Sequence, residues 1–127
     1  MIHDEICTYE VAKLAKDKGF DEYVEAFYAE DCGTAHSQGP EKWNEYKGKY
    51  AAPTHSLLQR WLREEKKYAI SVFWDILSKA YCYEIVKTIG VLEIQVGEKC
   101  NYSNPKGFNT YELALEDAEL YVLKNLL

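Results

Sequence analysis

The sequence predicts an α+β domain in which an antiparallel sheet of three to four strands packs against about three helices. Near both ends of the chain and in its middle, apolar residues recur at helical spacing behind capping signals. Between residues 68 and 96 the apolar residues instead recur at every second position, and many are β-branched or aromatic. The connections in this region are too short for crossover helices, so an antiparallel meander is expected.

Capping residues define the ends of the predicted helices. Thr8 begins the first helix, and Gly19 ends it because glycine readily takes the left-handed conformation that follows a helix. Thr54 is a suitable N-cap for the second helix. The third opens on a capping box, in which Asn109 caps and Glu112 lies three residues later. Three helices are therefore predicted, at residues 8–18, 54–67 and 110–126.

The strands are predicted at residues 68–74, 81–87 and 91–96, each with apolar residues on the face towards the helices. Residues 20–52 are less regular, and Gly39 and Pro40 mark a loop there. Residues 23–28 fit either a strand or a helix that continues past Gly19, and for the whole segment we favour an edge strand followed by an irregular loop. The predicted core consists of Leu14, Leu58, Trp61, Leu62, Ile70, Val72, Ile85, Ile94, Ala114, Leu115 and Ala118.

Length and charge restrict the class of protein. A chain of 127 residues is the size of one domain, so residues 1–127 are expected to share one core. The net charge of -6 argues against a protein that grips nucleic acid. No apolar run reaches the roughly twenty residues of a membrane span, and the acidic N-terminus does not resemble a signal peptide. We therefore expect a cytoplasmic protein without membrane contact, whose four cysteines are reduced.

One combination of residues in the chain is considered as a metal site. Cys32 and His36 lie four residues apart, and Cys100 with His3 or His55 would have to complete a zinc site. Structural zinc sites normally have two close-spaced ligand pairs, whereas only one occurs here. His55 is otherwise expected at the protein surface. Because no nucleophile elbow, phosphate loop or metalloprotease motif is present, no catalytic residue, metal site or cofactor is predicted.

Three cations, Arg60, Arg63 and Lys67, lie on one side of the second helix and can meet a phosphate or an acidic partner. Glu64 follows Arg60 at the spacing of an ordinary exposed ion pair. The order helix, three strands, helix also occurs in double-stranded RNA-binding domains, whose last helix opens with basic residues. Here residues 110–113 are followed by acids, which argues against that mode of RNA binding.

Four segments resemble small proteins encoded by Bacteroides-type bacteria, their prophages and mobile elements. The resemblance is most specific in APTHSLLQRWLRE at residues 52–64. It also includes TYEVAKLAKDKGF at 8–20, YCYEI at 81–85 and FNTYELALE at the start of the last helix. The resemblance implies an intracellular bacterial or phage origin, and it assigns neither an activity nor functional residues.

Two functions remain open from the sequence. The first is a non-enzymatic protein-binding or accessory factor of phage or mobile-element origin, which contacts an unknown protein partner or a second copy. It rests on the aromatic surplus of eleven tyrosines, four phenylalanines and three tryptophans, and on Phe73, which alternates away from the predicted core face. The candidate interaction residues are Arg60, Arg63, Lys67 and Phe73. The alternative is a small enzyme or ligand-binding protein whose pocket forms from residues distant in sequence.

Overall fold

A computed structural model describes residues 5–30, 34–99 and 107–127. Within these residues the chain forms three α-helices and two antiparallel three-stranded sheets, which confirms the predicted α+β class. The chain divides into two compact units, Met1–Leu58 together with Leu127, and Gln59–Leu126. We call these the first and second units. The division falls inside helix α2, His55–Glu64.

The first unit contains a sheet that the sequence did not predict. We expected one edge strand and a loop, but β1 is the middle strand of a sheet with the order β2-β1-β3. The middle of β2 reads His-Ser-Gln-Gly-Pro, so it carries no alternating apolar pattern, and its pairing with β1 defines the strand. The elements are α1 (Tyr9–Asp17), β1 (Val24–Ala29), β2 (Ala35–Glu41), a 3-10 turn (Trp43–Glu45) and β3 (Lys49–Ala51).

Helix α1 is capped as the sequence predicts. Val11 N donates to Thr8 Oγ1 at 3.4 Å. At the other end Gly19 has a φ of 94°, and the chain turns so that Phe20 N donates to Ala15 O at 2.9 Å. Phe20 is thereby buried, which fixes the path of the chain from α1 towards β1.

Aromatic side chains fill both faces of the sheet in the first unit. On one face the Tyr9 ring of α1 lies 5.5 Å from the ring of Tyr28 and 5.7 Å from that of Tyr50. On the opposite face the rings of Phe27 and Trp43 are 4.5 Å apart. The Lys49 ammonium lies 4.8 Å from the Phe27 ring and 5.1 Å from the Trp43 ring, within the range of cation–π attraction. Much of the aromatic surplus is therefore structural.

The start of α2 confirms one prediction and corrects another. Thr54 is the N-cap, because Leu57 N donates to Thr54 Oγ1 at 3.2 Å. His55, expected at the surface, is only 5% exposed. It is buried because the N-terminal segment runs along this part of the chain, where His55 N donates to Glu5 O at 2.9 Å.

The second unit contains the predicted meander, with the strand order β4-β5-β6 and antiparallel pairing throughout. Helix α3 packs against β4 and β5. Its N-cap is Thr110 and not Asn109, since Leu113 N donates to Thr110 Oγ1 at 3.1 Å. The elements are β4 (Tyr68–Asp75), β5 (Ala80–Ile89), β6 (Leu92–Lys99), α3 (Tyr111–Tyr121) and a final π-helical turn (Val122–Leu126).

Most of the predicted core is buried, but its strand residues are less buried than expected. Ile94 was wrongly placed in the core, because 46% of it is exposed. It belongs to β6, an edge strand that is exposed along most of its length. Three residues are half-buried: Leu14, Ile70 and Val72. Those that are buried as predicted are Leu58, Trp61, Leu62, Ile85, Ala114, Leu115 and Ala118.

Candidate functional site

Large apolar side chains are exposed mainly in the second unit. Among the described residues, the first unit exposes only Ile6, Tyr23 and Tyr46 of this class. The second unit exposes many more, at the two hairpin turns of its sheet and along β6. Contiguous exposed apolar surface commonly marks a binding site in a folded protein. The second unit is therefore where we look for an interaction surface.

Side-chain hydrogen bonds hold the turn between β4 and β5. Asp75 Oδ2 accepts from Ser78 N at 2.9 Å and from Ser78 Oγ at 2.6 Å. These bonds hold the pKa of the Asp75 carboxyl below its usual range. Lys79 N also donates to Asp75 O at 2.9 Å. The two residues at the tip are Ile76 and Leu77, which are 78% and 79% exposed. The turn thus presents two aliphatic side chains to solvent from a fixed backbone.

Aromatic side chains continue this apolar surface. Trp74 is 52% exposed, and its ring lies 5.1 Å from the ring of Tyr81. The Tyr81 ring in turn lies 6.2 Å from that of Tyr111 at the start of α3, which is also exposed. Phe73 is exposed on the opposite face of β4, consistent with its predicted direction. We call the surface on the Trp74 side and at the turn the hairpin patch, formed by Trp74, Ile76, Leu77 and Tyr111.

The turn between β5 and β6 is a second exposed apolar tip, at the opposite end of the meander. Val91 at this turn is 99% exposed, and Ile89 and Leu92 beside it are exposed as well. All three are aliphatic, whereas the hairpin patch combines aliphatic and aromatic side chains. Because Trp and Tyr are enriched among the residues that dominate binding energy, the hairpin patch is the stronger candidate.

A polar cluster in the second unit ties β5 to α3. Tyr83 Oη donates to Asp117 Oδ2 at 2.8 Å, and Lys99 Nζ lies 3.5 Å from the same oxygen. Burial of Tyr83, followed by the bond to Asp117, raises the pKa of its hydroxyl well above the usual range. The hydroxyl therefore stays protonated at neutral pH, which suits a hydrogen-bond donor and not a general base. We interpret the cluster as structural.

The prediction that one helix carries three cations is wrong for Lys67, because α2 ends at Glu64 and Lys67 lies beyond it with a φ of 67°. Arg60 Nε lies 3.1 Å from Glu64 Oε2, as the spacing predicted, and both side chains are exposed. Lys67 Nζ donates to Glu64 O at 2.9 Å. Arg63 is exposed on α2. Because Glu64 engages two of the three cations, they give less support to a binding site than the hairpin patch does.

The structure brings no metal site together within the residues it describes. His36 is exposed and its ring stacks on Phe27 at 5.5 Å. Three residues of the predicted combination, His3, Cys32 and Cys100, lie outside the described residues. No group of three or more His, Cys, Asp or Glu residues that could hold a metal ion occurs in the described ranges.

The cysteines depart from expectation at one position. Cys7 and Cys82 are both fully buried. Cys82 is disulfide-bonded, so the expectation that every cysteine is a reduced thiol is wrong for this residue. Disulfides persist mainly in oxidising compartments, which makes Cys82 the residue that bears most directly on where the protein works.

Sequence reasoning missed Ile76 and Leu77, the most exposed members of the hairpin patch. It treated residues 75–80 only as a connection between two strands. The available signal was an aliphatic pair between Asp75 and Ser78, because turns normally hold glycine or polar residues at such positions. An apolar pair that a turn exposes has no evident role in the fold.

Comparison of the chain with protein-family models, with curated proteins and with solved structures finds no match. Among the helices in the described ranges, none is both long and apolar enough to cross a membrane. Among the described residues, the hairpin patch is the strongest candidate for a functional surface.

Proposed function

We propose that this chain is a non-enzymatic protein-binding or accessory factor that contacts its partner through the hairpin patch. The observation that carries the proposal is the pair Ile76 and Leu77, exposed on a turn that Asp75 and Ser78 fasten. A turn held in this way presents the two side chains in one arrangement before the partner arrives. Preorganisation of this kind lowers the entropy lost on binding.

A partner that covers the hairpin patch removes apolar surface from water, which favours binding. Transfer of one large aliphatic side chain out of water contributes about 1.5–3 kcal/mol. Ile76 and Leu77 together would therefore contribute several kcal/mol, with Trp74 and Tyr111 as aromatic anchors beside them. The partner that fits this surface is a protein with an apolar groove, because the exposed side chains of the patch are apolar. The one nearby carboxylate, Asp75, is already engaged by Ser78.

Charge supports a protein partner over nucleic acid. The chain carries a net charge of -6, and Lys79 is the single cation in the described turn between β4 and β5. The resemblance to bacterial and prophage proteins supports an accessory role in a bacterium, a phage or a mobile element. A second copy of the chain is one protein that would meet this description.

The test compares two double variants that each remove exposed aliphatic side chains. Ile76→Ser with Leu77→Ser removes the tip of the hairpin patch, and Ile89→Ser with Val91→Ser is the matched control at the opposite turn. All three forms of the tagged chain are used for affinity capture from the source organism, after circular dichroism confirms equal folding. We expect a partner that the wild type and the control capture and the patch variant loses by tenfold or more.

Three results would count against the proposal. Equal capture by all three forms would place binding elsewhere, and equal loss in both double variants would indicate general stickiness. Capture of nothing by the wild type would remove the evidence for a partner. Size-exclusion chromatography of the purified chain separates self-association from a foreign partner. Only self-association moves the elution volume of the purified chain to that of a larger species.

We also propose the cytoplasm as the location, which the resemblance to intracellular bacterial and prophage proteins supports, whereas the disulfide at Cys82 favours an oxidising compartment. Cys82 is fully buried, so intact cells are quenched with acid and free thiols are alkylated under denaturing conditions, after which mass spectrometry reports the state of Cys82. A cytoplasmic protein should yield an alkylated Cys82 peptide. A Cys82 that is protected until a reductant is added would place the protein in an oxidising compartment.

A further inference from the structure

A concave pocket of about 480 Å³ opens on the sheet of the first unit. Its floor consists of four small residues whose side chains share one face of the sheet: Ala26, Ala35, Ser37 and Ala52. Ala26 pairs with Ser37, and Ala52 N donates to Ala26 O at 2.9 Å. The pocket exists because these positions are small, since larger side chains would fill the space.

Elsewhere on the same face of the sheet, large side chains occupy the corresponding space. Where α1 covers the sheet, the floor residues are Tyr28 and Tyr50, and both rings contact the Tyr9 ring. One part of the face is thus packed with aromatic rings. The adjoining part, built from alanine and serine, is left open.

The walls are apolar and come from distant parts of the sequence. Ile6 precedes α1, Tyr23 precedes β1, and Leu57 lies in the first turns of α2. Ile6 and Tyr23 are both exposed, as expected at the mouth of an open pocket. A volume of this size with a mainly apolar lining and a few polar groups is typical of small-molecule sites.

The polar groups at the pocket indicate the charge of its ligand. Glu25 is the only charged side chain among the described lining residues, and the Lys42 ammonium, which is not part of the lining, lies 5.4 Å from the ring of Tyr23. Glu25 lies where the pairing of β1 with β2 shifts register, and irregularities of this kind often redirect a side chain next to a binding site. Ser37 and Thr54 add hydroxyl groups. A carboxylate here favours a cation and disfavours an anion.

We propose that this pocket binds a small apolar molecule that carries one amine. The hydrocarbon body lies on the floor of Ala26 and Ala35, and the ammonium group meets the carboxylate of Glu25. The net charge of -6 further favours the approach of a cation. The site is independent of the hairpin patch, so either can fail without the other.

The test uses three probes with the same phenylbutyl body, namely 4-phenylbutylamine, 4-phenylbutan-1-ol and 4-phenylbutyrate. Titration calorimetry on the full chain measures each affinity. We expect the amine to bind about fivefold more tightly than the alcohol, as one exposed charge pair provides, and the carboxylate to bind most weakly. In Glu25→Gln the advantage of the amine over the alcohol should disappear.

A pair of variants on β2 locates the binding. Ser37→Trp fills the pocket from its floor, whereas Gln38→Trp adds the same bulk on the opposite face of the same strand. We expect Ser37→Trp to abolish binding of the amine and Gln38→Trp to retain it, with both variants folded by circular dichroism. The proposal is overturned if no probe binds, if the carboxylate binds as tightly as the amine, or if Ser37→Trp still binds. Should Ser37→Trp not fold, amide chemical-shift changes caused by the amine in the wild type must fall on Ala26 and Ala35, and changes elsewhere overturn it.

Discussion

The side chain of Asp75 stabilises the conformation of the β4–β5 turn through two hydrogen bonds from Ser78. Replacing it with alanine removes the acceptor for both Ser78 N and Ser78 Oγ, so we expect the turn to loosen. Hydrogen exchange of the Ser78 amide should accelerate by tenfold or more. Asp21→Ala, at an exposed acid of the first unit, should leave that rate unchanged. Unchanged exchange in Asp75→Ala would show that the backbone alone fixes the turn.

Because of the lowered pKa of Asp75, we expect the stability of the β4–β5 turn to decrease at acid pH. Because the folded state lowers the pKa of Asp75, its stabilising effect is present above the pKa of the unfolded chain, about 4. The effect is lost as the pH falls through the lower, folded pKa. Ser78 exchange, corrected for its intrinsic pH dependence, should accelerate below about pH 4 in the wild type only. The same acceleration in Asp75→Ala would assign the effect to another group.

Because of the raised pKa of Tyr83, we expect its contribution to the free energy of unfolding to decrease at alkaline pH. Its raised pKa means that its stabilising effect is present below about pH 10 and is lost as the pH rises through the folded value. Tyr83→Phe removes the bond to Asp117 and should lower the free energy of unfolding by about 1–2 kcal/mol at pH 7. Its difference from the wild type should shrink above about pH 10. Urea titrations at both pH values provide the measurement, with Tyr111→Phe as the control.

At the scale of elements, Gly107 allows the segment that precedes α3 to lie close to the start of β5. Phe108 pairs with Tyr81, with 2.9 Å hydrogen bonds in both directions. A Cβ at Gly107 would lie 2.5 Å from Ala80 Cβ and 3.0 Å from Tyr81 O. Because Ala80 is buried and Tyr81 O belongs to the backbone, neither can move aside easily.

Gly107→Ala should therefore lower the free energy of unfolding by about 1–3 kcal/mol. Gly97→Ala is the control for which we expect a smaller loss of stability. Its Cβ would meet only side-chain atoms, at 3.1 Å or more. Urea denaturation should show a clearly larger loss for Gly107→Ala. An equal or smaller loss would mean that the pairing at Phe108 tolerates displacement.

The elements that the sequence predicted best are those with local signals. Thr8 and Thr54 cap their helices through their own side chains, and residues 68–96 alternate strongly enough to give all three strands of the meander. The sheet of the first unit lacked such a signal, because pairing with a distant strand, and not apolar alternation, specifies β2. The choice of Asn109 over Thr110 failed because both residues are competent caps.

For the molecule as a whole, composition predicted the fold class but overstated the functional meaning of the aromatic surplus. Tyr9, Tyr28 and Tyr50 pack within the first unit, and only part of the surplus reaches the hairpin patch. The exposure of Phe73 follows from strand alternation and was therefore predictable. The exposure of Ile76 and Leu77 depends on a turn held by bonds from Ser78 to Asp75, and the residue order suggests such a turn without specifying those bonds.

The central claim is that a partner protein covers the hairpin patch. It is tested most directly by placing the photocrosslinker p-benzoylphenylalanine at the position of Leu77 in living cells, and in a second strain at Lys47, an exposed residue of the first unit. After irradiation, our account predicts a discrete crosslinked species for the position of Leu77 and none for that of Lys47. The absence of any species at the Leu77 position, or the same species at both, would contradict it.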